Sequence, residues 1–180
     1  MKRLLLTTVT LVLATLLASA SGATAATQTV DATLAGAAEW SGADVFHVET
    51  FSIHGDVSGT INGTYSGTLN AGPYFNSDTC GPECAPVTGT IEFVTQRGSF
   101  TTTVEPGGLL TLFAIGSGNH YSFALTLQIV DGTRYYKHAS GELSLSYGSD
   151  QNFNLPECQI CPIADGGHLT GTIDRGPAGH

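Results

Sequence analysis

The sequence predicts an all-β fold: an antiparallel meander closing into a small barrel of about eight strands, behind an N-terminal signal peptide. Three observations carry this. Apolar residues alternate with period two in several runs, turn chemistry separates those runs, and helix signals are almost absent after the first segment. Gly is abundant, at 23 of 180 residues, while Lys is nearly missing.

The N-terminus reads as an export signal. Lys2 and Arg3 form a positive start, Leu4 to Ala18 is uncharged, and Ala23-Thr24-Ala25 fits the small-residue cleavage pattern. Residues 1–25 are the expected signal, with Ala18-Ser19-Ala20 a weaker cleavage site. The apolar run falls short of the ~20 residues a spanning helix needs. Cleavage after Ala25 leaves 155 residues, which suits one domain. Residues 26–44 read as an N-terminal extension or extra strand, 45–175 as the barrel, and 176–180 as a flexible tail. Only Arg97, Arg134, Lys137 and Arg175 then face 15 acidic residues, a net charge of −11. Such a chain is unsuited to neutralising phosphates, so nucleic acid and anionic membrane surfaces are excluded as partners. The expected localisation is secreted, with no stable membrane association after signal cleavage.

The elements follow in chain order. Val45 to Ile53 begins in one phase (Phe46, Val48) and ends in the other (Phe51, Ile53), so a bulge is expected near Glu49 or Thr50. Asn62-Gly63 between Val57–Ile61 and Thr64–Leu69 is a strong hairpin signal. Val87, Ile91 and Phe93 alternate with Thr88, Thr90 and Glu92. Arg97-Gly98 joins neighbouring strands, and Pro106-Gly107-Gly108 reads as a further turn. Leu109 to Ile115 is apolar on both faces and is expected to be a doubly covered strand. In His120 to Val130, Tyr121, Phe123, Leu125, Leu127 and Ile129 share one face, as do Leu143, Leu145 and Tyr147 later. Fragments of the form Ser/Thr-Gly-Thr-Ile/Leu recur at 58–61, 66–69, 88–91 and 170–173. Gly within a strand lets a sheet coil tightly or a neighbouring side chain cross it, as small barrels require.

Two longer loops, 70–86 and 148–166, carry Cys80 and Cys84, and Cys158 and Cys161. An even count in an exported protein reads first as two disulfides. A zinc site supported by Glu83 or His168 is the alternative. Counting five meandering strands between the loops places them at opposite ends and favours local pairing, Cys80–Cys84 and Cys158–Cys161.

From Asp131 to Gly141 the chain reads Asp-Gly-Thr-Arg-Tyr-Tyr-Lys-His-Ala-Ser-Gly. This resembles the Gly-Thr-Gly-x-Phe-x-x-Ala-x-Gly turn of dirigent proteins and allene oxide cyclases. Gly132, Thr133, Ala139 and Gly141 match, Tyr136 stands for the Phe, and Arg134 replaces the second Gly. The resemblance implies a calycin-like eight-stranded barrel whose end is plugged by the aromatic ring. It assigns no catalytic residue.

No metal-binding, cofactor or hydrolase motif occurs, and no cofactor is expected. Tyr65, Tyr121, Phe123, Tyr147 and Glu49 are candidates to line a cavity. Tyr74 and Phe75 are candidates for an exposed loop contact. The leading expectation is a non-enzymatic binding module for a small apolar ligand or an extracellular protein. A dirigent- or cyclase-like enzyme guiding a reactive intermediate comes second, and a secreted protease inhibitor third.

Overall fold

The computed structural model describes residues 26–44, 48–77, 81–115, 118–152 and 161–176. The expected signal peptide, Cys80, Cys158, Gly116-Ser117 and the tail from Pro177 lie outside these residues. The strands in chain order are β1 (Ala26–Ala43), β2 (Glu49–Gly59), β3 (Gly63–Ala71), β4 (Phe75–Ser77), β5 (Gly81–Thr95) and β6 (Gly98–Val104). They continue as β7 (Leu109–Ile115), β8 (Gly118–Gly132), β9 (Ala139–Ser140), β10 (Glu142–Asn152) and β11 (Cys161–Arg175). One 3-10 turn, Arg134–Tyr136, follows β8.

The chain forms a closed, eight-stranded antiparallel barrel. Neighbours run β1-β2-β3-β5-β6-β8-β10-β11, and β11 returns to β1 from Ala26↔Arg175 to Gly36↔Asp165. The segment 26–44 therefore supplies the closing stave. Full closure removes the edges that an open sheet would expose.

Three expectations need correction. Pro106-Gly107-Gly108 does not reverse the chain. β6 and β7 both run antiparallel to β5 and to β8, as two halves of one stave. Between the pairs Cys84↔Thr111 and Thr90↔Thr103, β5 advances six residues and its partner eight, so the Pro-Gly-Gly step is a bulge. Both neighbours stay bonded across it, through Glu105 N–H to Thr126 O at 2.8 Å and Val87 N–H to Gly108 O at 2.8 Å. One fewer reversal leaves an even number of staves between the cysteine-bearing loops, which puts them at the same end. The topological ground for local disulfide pairing falls with it. The second correction concerns the bulge expected near Glu49 or Thr50. It lies on the partner strand, between Trp40 and Gly42 of β1, so Glu49, Phe51 and Ile53 keep one phase. Nor is β7 doubly covered: Leu110 is buried, whereas Leu109 and Leu112 are half-buried.

The strand ends leading into 44–48, 72–80, 116–117 and 153–160 share one end, here the loop end. The stretches 60–62, 96–97 and 133–141 join strands at the other, the turn end.

An aromatic column fills the barrel from one end to the other. Starting near the loop end, Tyr121 meets Phe51 at 5.2 Å, Phe51 meets Phe123 at 5.3 Å, and Phe123 meets Tyr147 at 6.3 Å between centroids. Tyr147 continues to Tyr65 at 6.2 Å, Tyr65 to Phe93 at 6.5 Å, Phe93 to Phe100 at 5.0 Å and Phe100 to Tyr136 at 4.9 Å. Most of these contacts are edge-on or tilted, the arrangement that ring quadrupoles favour.

Glycines make room for the column. Tyr65 pairs with Gly55, and its hydroxyl reaches to within 2.7 Å of where a Cβ on Gly36 would stand. The recurrent fragments do the same between β3 and β5, where Gly67 faces Ile91 and Leu69 faces Gly89. Each apolar side chain lies over the other strand's glycine, and a Cβ on Gly67 would meet Ile91 Cγ1 at 3.1 Å.

Candidate functional site

The loop end gathers aromatic and acidic side chains. Glu49 opens β2 in the inward phase of Phe51 and Ile53, which places its carboxylate at the barrel mouth, half-buried. Tyr74, just before β4, donates its hydroxyl to Glu49 Oε2 at 2.8 Å. Burial raises the Tyr74 pKa well above the ordinary tyrosine value, and the Glu49 carboxylate adds to it through the hydrogen bond and its charge. The phenol is therefore held protonated as a donor. Trp40 of β1 packs against the same end of the core, with its indole N–H buried and unpartnered among the described residues.

Phe75 is 42 % exposed, one of the few large apolar side chains that reach solvent. It lies on the three-residue strand β4, which among the described residues pairs with β5 alone. Opposite Phe75 in that ladder is Cys84, buried and disulfide-bonded. No free cysteine and no complete cysteine pair occur among the described residues. Glu39, Asp44 and Glu83 are exposed at this end, and its connecting segments contain neither Lys nor Arg.

The structure divides the sequence candidates into two groups. Tyr65, Tyr121, Phe123 and Tyr147 are buried within the barrel, where the Tyr65 and Tyr147 hydroxyls lie 3.0 Å apart. Glu49 and Tyr74 meet at the mouth, although 25 residues separate them, and Phe75, on β4, follows Tyr74. His168 lies apart, on β11, bonded to Asp31 at 2.8 Å. Among the described residues, no group of three His, Cys, Asp or Glu could hold a metal ion.

Two features escaped the sequence reading. Trp40 fell in a segment read as an extension or extra strand and was not singled out, although it is the chain's one tryptophan. The other is the segregation of charge. Arg97, Arg134, Lys137 and Arg175 all lie at the turn end, and Tyr135 carries the Arg175 guanidinium at 4.3 Å and that of Arg97 at 5.1 Å from its ring centre. The signal was available, because each cation stands in or beside a tight turn or at the last strand's end.

Compared with protein-family models, curated proteins and solved structures, the chain matches none.

Proposed function

We propose that this protein is an exported binding module in which the filled barrel is a rigid scaffold and the loop end contacts an extracellular partner. The observation that carries the reading is Phe75. It is exposed on a short strand with one pairing partner among the described residues, while the rings inside the barrel are packed against one another. Capture of an apolar ligand inside would require that column to part, and close-packed interiors resist such openings. The mouth offers an exposed ring, a tethered tyrosine and several carboxylates in a sequence that places neither Lys nor Arg in its connecting segments. That chemistry suits a partner surface that is cationic and presents apolar side chains. The four cysteines form two disulfides that brace this end in the oxidising medium, since preorganised loops lose little entropy on binding.

The test is native mass spectrometry of protein purified from its own culture medium. The wild type should carry a second protein chain, and Phe75→Ser should lose it while keeping the same denatured mass apart from the substitution. A bare chain in both preparations, or a small molecule retained in both, would overturn the reading. Denatured and alkylated masses from the same sample report cleavage after Ala25 and oxidation of the thiols.

A cyclase-like reading retains one specific observation, the inward Glu49 carboxylate held by Tyr74 at the barrel mouth. It requires Glu49→Gln to abolish turnover of a small reactive intermediate while leaving partner binding intact.

A further inference from the structure

At the turn end, a cleft of about 420 Å³ opens between β1, the β2–β3 turn, the β5–β6 turn and the 3-10 turn. That volume falls within the ~300–1,000 Å³ of small-molecule sites. Three of its lining groups have unused bonding capacity. Arg97 is exposed, gives one guanidinium N–H to the Tyr135 hydroxyl at 3.3 Å, and has no carboxylate within ion-pair distance among the described residues. Gln28 donates its amide nitrogen to Thr60 O at 3.3 Å, which fixes the amide orientation and leaves Oε1 buried without a donor. Tyr136, its ring buried, also lines the cleft, and no hydrogen bond engages its hydroxyl among the described residues. Buried acceptors without donors are rare in native proteins, and each calls for a reason.

The backbone beside the cleft is strained. Arg134 has φ 50° and His138 has φ 68°, the only non-glycine residues with positive φ among those described. Both fall within one five-residue turn, and Tyr135 N–H binds Arg97 O at 3.2 Å, so this turn sets the position of Arg97. Strain of this kind persists where the surroundings impose it, and it clusters at ligand clamps. Two carboxylates at this end already accept hydrogen bonds: Asp131 from Gly132 N–H at 2.7 Å, and Asp174 from the Thr27 hydroxyl.

We infer that this cleft binds a small hydroxylated carboxylate, of the uronic-acid class, with its carboxylate on Arg97 and its hydroxyls on Gln28 Oε1 and the Tyr136 hydroxyl. A guanidinium fork matches a carboxylate in two places. A sugar hydroxyl can donate to Gln28 and also exchange a hydrogen bond with Tyr136, which a simple anion cannot do. The chain's net charge of −9, or −11 without residues 1–25, repels polyanions and restricts the ligand to a single carboxylate unit.

The experiment is titration of the mature, disulfide-intact chain with D-glucuronate, followed by NMR of the Gln28 side-chain amide and by calorimetry. D-glucose and acetate serve as the uncharged and the hydroxyl-free probes. Glucuronate should saturate with a Kd of about 1 mM and shift the Gln28 amide. Arg97→Ala should weaken binding about tenfold or more, and Tyr136→Phe about fivefold, with melting temperatures close to wild type. Glucose and acetate should each bind at least about tenfold more weakly than glucuronate. Absence of saturation, unchanged affinity in Arg97→Ala, or equal binding of either control would overturn the inference.

Discussion

The two ends of the barrel do different work with different residues. At the turn end, Tyr136 is the last buried ring of the column, tilted against Phe100, and the turn carrying it is bonded to Ser99 of β6 and to Arg97. At the loop end, Tyr74 and Phe75 stand outside the column, Phe75 on a short strand that pairs along one edge among the described residues. One end belongs to the core, while the other is mounted on it. A small barrel can change its rim freely only if its folding does not depend on that rim, which is why functional groups gather on loops positioned by a rigid scaffold.

The largest test of this contrast is Tyr136→Ala, expected to cost about 3–5 kcal/mol in denaturant unfolding, as for other buried aromatic truncations. A cost under about 1 kcal/mol would mean that the turn end is no more part of the core than the rim. At the loop end, Tyr74→Phe removes only the bond to Glu49 and should cost about 1 kcal/mol. It also has a pH signature. The folded-state pKa of Tyr74 is raised, so the folded chain holds the phenol proton more tightly than the unfolded chain. The resulting stability is fully present below the unfolded tyrosine value of ~10 and declines as pH rises above it. Ultraviolet difference titration should show a delayed tyrosine ionisation step that Tyr74→Phe removes.

Arg134→Gly should act in the opposite sense. The position has φ 50°, a region glycine adopts without strain, so the substitution is expected to stabilise by about 1 kcal/mol. Loss of stability would show that the Arg134 side chain contributes more than its backbone costs. Phe75→Ser should be smallest, within about 0.5 kcal/mol of wild type, because the ring is mostly outside the packed interior.

Much of the barrel could be read from alternation alone. The inward phase of Tyr121 to Ile129 and of Leu143 to Tyr147 is that of the structure, because a one-residue slip would have turned the whole face outward. The recurrent Gly-Thr-Ile/Leu fragments were legible as a barrel idiom, and pairing explains them as glycine facing aliphatic across β3 and β5. What composition could not give was whether Pro106-Gly107-Gly108 reverses the chain. Both a turn and a bulge want those residues, and only pairing to β5 and β8 decides between them. That single ambiguity moved a cysteine-bearing loop from one end to the other. Of the candidate site, Tyr74 and Phe75 could be singled out as aromatic residues on a long loop. Their meeting with Glu49 depends on β2 and β3 aligning Glu49 with Ala71, a tertiary fact that local sequence does not contain.

The central claim, that the loop end is the contact surface, is tested most directly by placing a photo-cross-linking residue at either of two exposed apolar positions. One replaces Phe75 at the rim, 42 % exposed, and the other replaces Val130 on the barrel wall, 53 % exposed. Each variant is irradiated in the native culture medium and read by mass. The account expects a discrete cross-linked partner from position 75 and none from position 130. Equal products from both, or a product from position 130 alone, would contradict it.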